Sequence, residues 1–170
     1  MDALEAIRSR RSIRLYTGAP ISRGDLEAIV NAGRLAATGN NRQPWDFVVV
    51  TDRKSIGRLA VVADWTDKAG AVIAVVMDPS SRWWIEDGAA AIENMLIAST
   101  ALGYGACWLE GYTLRAEEQL RHILGIPSDK HSVLSCRRLL TLIPIGVPAE
   151  SPAPDKKPLE QVIHWERYSS

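Results

Sequence analysis

The chain has 170 residues, with 20 basic and 20 acidic side chains that cancel to a formal net charge of zero. That length suits one domain with a sizeable core, and 46% hydrophobic with 24% charged residues excludes a disordered or fibrous chain. The charge balance leaves no global field to draw in nucleic acid, so any anion site has to be local. No apolar run reaches the ~18 residues of a membrane helix. The opening "MDALEAIRSR" lacks the apolar stretch of a secretory signal, which predicts a cytoplasmic protein. Cys107 and Cys136 stand alone, with no C-x-x-C, and are expected as buried or half-buried thiols in a reducing compartment. His122, His131 and His164 have no metal-ligand spacing, so no structural metal is expected.

Residues 2–9 predict a short helix, with Leu4 and Ile7 on one face and Asp2 and Glu5 near its positive end. "RSRRSIRLY", residues 8–16, then places Arg8, Arg10, Arg11 and Arg14 within seven positions. Such a cluster is either a solvated face or the grip on an anion. "TGAP", 17–20, is a turn. Ser22 and Asp25 form a capping box that opens a helix with Leu26, Ile29, Val30 and Gly33 on one face. "ATGNNRQP", 37–44, is a loop, and "FVVVT", 47–51, predicts a buried strand followed by a helix over 53–62.

"AVIAVVM", 71–77, predicts a second buried strand, closed by Asp78-Pro79. From Trp83 to Leu102 the pattern is a long helix, apolar on nearly every side, expected in the middle of the fold with Gly103 as its terminator. "ACWL", 106–109, is a short strand, and 116–124 a helix ended by Gly125 and Pro127. "RLLTLIPIG", 138–146, is a strand whose Pro144 suggests an edge or a bulge. "VPAESPAPDKKP", 147–158, is Pro-rich and extended, and "LEQVIHWERY" after it fits a strand or a short helix.

The sum is a single domain over 1–170 with mixed helices, four or five strands and no repeat. Its arm, 147–170, is expected to leave the domain and pack on a second subunit. Six tryptophans against one phenylalanine are expected mostly in the core or at an interface.

Several chemistries are excluded. "GYGACW", 103–108, lacks the third glycine of a dinucleotide fingerprint and runs from helix to strand, the reverse order. There is no phosphate-binding P-loop and no G-x-S-x-G elbow. The acidic pairs Glu86-Asp87 and Glu117-Glu118 read as solvent-facing helix charges.

Four fragments, in order, resemble the FMN-dependent nitroreductase family of NAD(P)H-dependent oxidoreductases. They are "RSRRSIRLY" with "TGAPIS", then "AATGNNRQPWDFVVV", then "AIENMLIASTALGYGACWLEGY", then "LIPIGVPAESPAPDKKPLEQVI". Together they cover essentially the whole chain. The resemblance implies an α+β fold with a central mixed, mainly antiparallel sheet wrapped by helices. It implies an intertwined homodimer with a swapped C-terminal arm, and FMN sites built from both subunits. This chain is a short member, without room for the long helical insertions of larger relatives.

The resemblance also assigns roles. Arg10 and Ser12 would hold the FMN phosphate and ribityl end, with Arg11 beside them, and Arg14 would reach the ribityl chain or the pyrimidine edge. Arginine's planar fork suits phosphate oxygens, and a cation near flavin N1 stabilises the anionic reduced flavin. Arg8 has no counterpart and reads as a solvated helix-end charge. Thr38, Gly39, Asn41 and Gln43 would approach the flavin from the other subunit, with one family hydroxyl missing at Ala37-Thr38-Gly39. Trp45 would pack at the interface. Leu109, Glu110 and Gly111 would bring backbone N–H groups past the isoalloxazine ring. Lys156 and Lys157 stand where the tail's basic residues fall, and Lys68 is a weaker candidate.

The implied activity passes hydride from NADPH or NADH through flavin N5 to a small-molecule acceptor such as a nitroaromatic or quinone, in a ping-pong cycle. No side chain is assigned a catalytic proton, and no metal, nucleic acid or membrane partner is implied. The alternatives are a flavin-binding or reservoir protein without NAD(P)H turnover, or a flavin-fragmenting or dehalogenating relative.

Overall fold

The computed structural model describes residues 1–127 and 137–168, so Cys136 and His131 lie outside the described residues. Helix α1 (Ala3–Ser9) is capped by Asp2, whose carboxylate accepts the Glu5 N–H at 2.9 Å. Helix α2 (Arg23–Arg34) is capped as its sequence predicts, with Ser22 Oγ accepting the Asp25 N–H at 3.1 Å. Strand β1 (Trp45–Val50) leads to helix α3 (Arg53–Leu59), and strand β2 (Ala71–Met77) to helix α4 (Trp84–Ala101). Strand β3 (Gly105–Ala106), helices α5 (Glu110–Arg115) and α6 (Glu117–Leu124), and strand β4 (Arg138–Gly146) complete the domain. Gly103 and Gly125 have positive φ, as expected of helix terminators.

The sheet order is β1-β2-β4-β3, with every pairing antiparallel. A single parallel bridge, Ser12 to Ala106, adds the residue 12–16 segment at one side and makes the sheet mixed. Strand β2 is buried throughout, and its residues alternate between two cores. Ala71, Ile73, Val75 and Met77 meet α2 and α4 on one face, while Val72, Ala74 and Val76 meet α3 and α6 on the other. Fully burying a side chain such as Ile73 contributes roughly 1.5–3 kcal/mol. A sheet covered on both faces therefore has no room for polar residues in β2.

The structure departs from several expectations of the sequence. The valine run of β1 predicts a fully buried strand, but β1 is an edge strand with Val49 40% exposed. Phe47 packs on one face and Val48 and Val50 on the other, but with no strand beyond β1 among the described residues they stay half-buried. Pro144 lies inside β4, opposite Val72, and not at an edge or bulge. The ladder shift falls instead between Val75 and Val76, where Leu140 is the extra residue. Pro144 is accommodated because its neighbour on the far side is the two-residue β3, and its carbonyl still accepts the Cys107 N–H at 3.2 Å.

The third correction concerns α4. It is buried along one stripe only, through Gly88, Ala91, Ile92, Met95, Leu96 and Ser99, and Ile85 and Leu102 remain exposed at its ends. Within one chain it flanks the sheet and does not thread its centre. The fourth concerns the acidic pairs: Asp87 is 5% exposed, and Glu117 is held by Arg138, so these two do not face solvent. Trp45, expected at an interface, packs in the core of its own chain beside Phe47.

The arm leaves the domain as extended chain from Val147, with one 3-10 turn at Leu159–Gln161 in place of the strand or helix considered above. It keeps Leu159, Val162, Trp165 and Tyr168 more than half exposed. Among the described residues no helix is long and apolar enough to cross a membrane.

Candidate functional site

The arginine segment is laid along β3 and the start of the arm. The Ile13 N–H donates to the Ala106 carbonyl at 3.0 Å, and Gly105 is needed there because a Cβ would sit 2.7 Å from Ile13 Cβ. The buried Tyr16 hydroxyl donates to the Ile13 carbonyl at 2.5 Å and lies 3.1 Å from the Pro144 carbonyl, tying the segment to β4. Burial pushes the Tyr16 hydroxyl well above its ordinary value, so it stays a donor at any working pH.

From this anchored backbone the candidate side chains diverge. Arg10 is half-buried and pairs with Glu93 of α4 at 3.2 Å. Arg11 turns back to donate to the carbonyls of Arg8 and Arg10, at 2.7 and 2.8 Å. Ser12 is half-buried and Arg14 exposed. Cys107 completes this neighbourhood. Burial pushes its thiol up, while Arg14, a hydrogen bond with Ser12 and Arg10 pull it down. Arg8 is exposed at the end of α1, as expected.

Beyond Cys107 the chain enters α5. Leu109 is 2% exposed, so its side chain is core, and its N–H is already given to the Leu142 carbonyl at 3.1 Å. Glu110 and Gly111 open α5, which has no side-chain N-cap. Their N–H groups therefore lack intrahelical acceptors. A Cβ at Gly111 would meet nothing within 4 Å.

The loop of Thr38, Gly39, Asn41 and Gln43 is organised separately, against the start of α4. Asn40, Asn41 and Gln43 all have positive φ, at 53°, 54° and 49°. Such backbone is uncommon outside glycine and persists only when its surroundings enforce it. Thr38 Oγ1 accepts the Gln43 N–H at 3.2 Å, and Asp87 Oδ1 accepts the Gly39 N–H at 2.9 Å. Trp83 lies on Gly39, with the Arg82 guanidinium 5.4 Å from the centre of its ring.

Among the described residues no hydrogen bond or ion pair joins this loop to Arg10, Ser12 or Arg14. One chain thus gathers the arginine segment on β3 and around Cys107, just ahead of α5 in sequence, with no such bond to the 38–43 loop among the described residues. Lys156 and Lys157 are exposed on the arm, away from any ion pair among the described residues. Lys68 sits in a 3-10 turn beside Asp67, 3.8 Å away.

Three residues of this region escape a reading of the sequence: Asp87, Trp83 and Glu150. Asp87 reads as one of a pair of surface charges with Glu86, since its partner Gly39 is 48 residues away. Trp83 and Glu150 carried no signal either, because their partners are distant in sequence.

The nitroreductase family model matches residues 7–63 and 57–137 of the chain. A protein of Archaeoglobus fulgidus, provisionally named an NADH dehydrogenase/NAD(P)H nitroreductase, is 38% identical over 137 residues, covering 75% of this chain and 79% of its own. A crystal structure of a protein with the same provisional name from Bacteroides thetaiotaomicron superposes with a TM-score of 0.86 at 31% identity, covering 98% of each chain. A provisionally named nitroreductase from Desulfovibrio desulfuricans, solved in complex with FMN, gives a TM-score of 0.84 at 29% identity over 99% of each chain. Sequence and fold agree along nearly the full length, and the chain belongs to the nitroreductase family.

Proposed function

We propose that this chain is an FMN-dependent NAD(P)H oxidoreductase that acts as a homodimer on nitroaromatic or quinone acceptors. The observation that carries the reading is the segment Arg10–Ser12–Arg14, anchored on β3 and gathered around Cys107, three residues before the uncapped entry to α5. These residues fit the cofactor. Cationic forks and a hydroxyl suit a phosphate and a polyol. The N–H groups of Glu110 and Gly111, with open space where a Gly111 Cβ would be, suit the edge of a flat ring.

When bound, FMN would supply the hydride chemistry between NAD(P)H and the acceptor. The chain's own residues bind and orient. Arg10 and Ser12 hold the phosphate end, with Arg11 alongside. Arg14 sets positive charge near the ring or the ribityl chain. The amides of Glu110 and Gly111 hold the ring edge. Thr38, Gly39, Asn41 and Gln43 belong to the site of the partner, which accounts for their separation from the arginines within one chain. Asn41 and Gln43 offer both donors and acceptors to the pyrimidine ring. Lys156 and Lys157 add charge from the arm.

The arm, with Leu159, Val162, Ile163, Trp165 and Tyr168 exposed, supports a dimer, because single chains seldom leave this much large apolar surface unpartnered. The 147–170 arm is the segment that crosses over in this reading.

The test is an anaerobic titration of the FMN-loaded protein with NADPH and with NADH, followed by flavin absorbance. Bleaching with near-stoichiometric reductant, and recovery on adding a nitroaromatic or quinone, is expected. A bound flavin that stays oxidised would mean a flavin-binding protein without turnover.

A further inference from the structure

We propose that Glu150 is a positioning residue that couples the C-terminal arm to the arginine segment of the flavin site, an inference that rests on the FMN reading above. Its Oε1 accepts the backbone N–H groups of both Arg14 and Leu15, the latter at 3.1 Å, across 135 residues of chain. In a regular ladder successive N–H groups point to opposite edges. Here both converge on one oxygen, so the chain bends around the carboxylate at Arg14, and the bend sets where the Arg14 side chain begins.

The same contact belongs to a short ribbon. The Thr17 N–H donates to the Val147 carbonyl at 3.0 Å, and the Ala149 N–H to the Leu15 carbonyl at 2.9 Å. Tyr16 bridges Pro148 antiparallel between them. The arm therefore departs from the residues that flank Arg14, and among the described residues Glu150 makes the last hydrogen bond between them. Arg14, Arg10, Ser12, Cys107 and Glu150 lie close enough that all four others act on the Cys107 thiol.

Two consequences follow. Whatever holds Arg14 in place tightens the ribbon, and whatever docks the arm holds Arg14 in place. Linkage requires the two effects to be equal: FMN tightens the dimer by the factor by which dimerisation tightens FMN. The acceptor does this work, and the charge does not. Glutamine keeps a carbonyl in the same position, whereas alanine leaves two N–H groups without a partner.

The experiment compares the full-length protein with Glu150→Ala and Glu150→Gln. FMN affinity is measured by fluorescence titration, dimer affinity by sedimentation with and without FMN, and the bound flavin's midpoint potential by dye equilibration. Amide exchange at Arg14 and Leu15 in the FMN-free protein reads the ribbon separately. Glu150→Ala is expected to weaken FMN by about tenfold, the scale of losing one or two ordinary hydrogen bonds. It should lower the potential, speed exchange at both amides and shrink the effect of FMN on the dimer. Glu150→Gln should stay close to wild type in all four. Equal losses in the two variants, or unchanged exchange and FMN binding in Glu150→Ala while wild type binds normally, would overturn the coupling alone. A wild-type protein that takes up no FMN would overturn the flavin reading and the coupling with it.

Discussion

The N–H of Gly39 donates to Asp87 Oδ1 at 2.9 Å, joining the loop that carries Asn41 and Gln43 to the first turn of α4. Asp87 is 5% exposed, and its other oxygen has no partner among the described residues. Trp83 closes the approach from the other side, so that a Cβ on Gly39 would lie 2.3 Å from Trp83 Cε3. Gly39→Ala must therefore displace the indole or the loop. A cost of about 1–3 kcal/mol is expected, as for overpacking in a filled interior. Thermal melting checks the cost. FMN titration should show weaker binding as well, since Asn41 and Gln43 move with the loop.

Arg10 already has an anionic partner, Glu93 at 3.2 Å. Phosphate would have to compete for it or share it. Arg10→Ala should weaken FMN by roughly ten- to a hundredfold, the range of a charge-assisted hydrogen bond worth ~1.5–3 kcal/mol. Riboflavin, which has no phosphate, should lose much less. Glu93→Gln should leave FMN binding unchanged or tighter. An equal loss for FMN and riboflavin would place Arg10 away from the phosphate.

The interior pair with the clearest geometry is Glu117 with Arg138. Both guanidinium–carboxylate contacts are 2.7 Å, and the Leu139 N–H adds a third bond to Glu117 Oε1 at 3.1 Å. Burial alone would raise the carboxyl, but these donors outweigh it and hold Glu117 below the usual carboxylate range. Because the folded value lies below the unfolded one, the contribution is complete above the unfolded carboxylate value. It is lost as pH falls through the folded value. Glu117→Gln should cost about 1–2 kcal/mol at neutral pH, discounted because Arg138 is partly exposed. In urea unfolding below the carboxylate range, the difference between variant and wild type should disappear.

Removal of residues 159–170 should dissociate the proposed dimer while leaving the monomer folded. The arm carries Trp165 at 78% and Tyr168 at 82% exposure, and no core cluster includes them. An aromatic anchor buries ~150–250 Å². At ~25 cal/mol per Å², loss of even one such anchor should weaken the dimer at least tenfold. Sedimentation velocity checks the association, and far-UV circular dichroism the fold.

Much of the architecture follows from interactions between near neighbours. Ser22 caps α2 because its oxygen reaches an N–H three residues on, and Gly103 and Gly125 end α4 and α6 because a reversal there needs positive φ. The unbroken apolar run of β2 announces a strand covered on both faces. The four-arginine segment is visible as a local excess of charge in a neutral chain.

What such neighbours cannot specify is the far partner of a group. The valines of β1 look like those of β2, but sheet order puts β1 at the edge. Asp87 reads as a surface charge until the Gly39 amide, 48 residues away, is folded onto it. Leu109 and Gly111 stand two positions apart, yet only the path of β4 decides that the Leu109 N–H is already taken and that the entry to α5 is open. Local periodicity and capping thus determined most of the elements, the terminators and the charged segment in the sequence itself. The tertiary structure decided which donors and acceptors remain unspent, because a hydrogen bond between distant residues depends on the whole course of the chain between them.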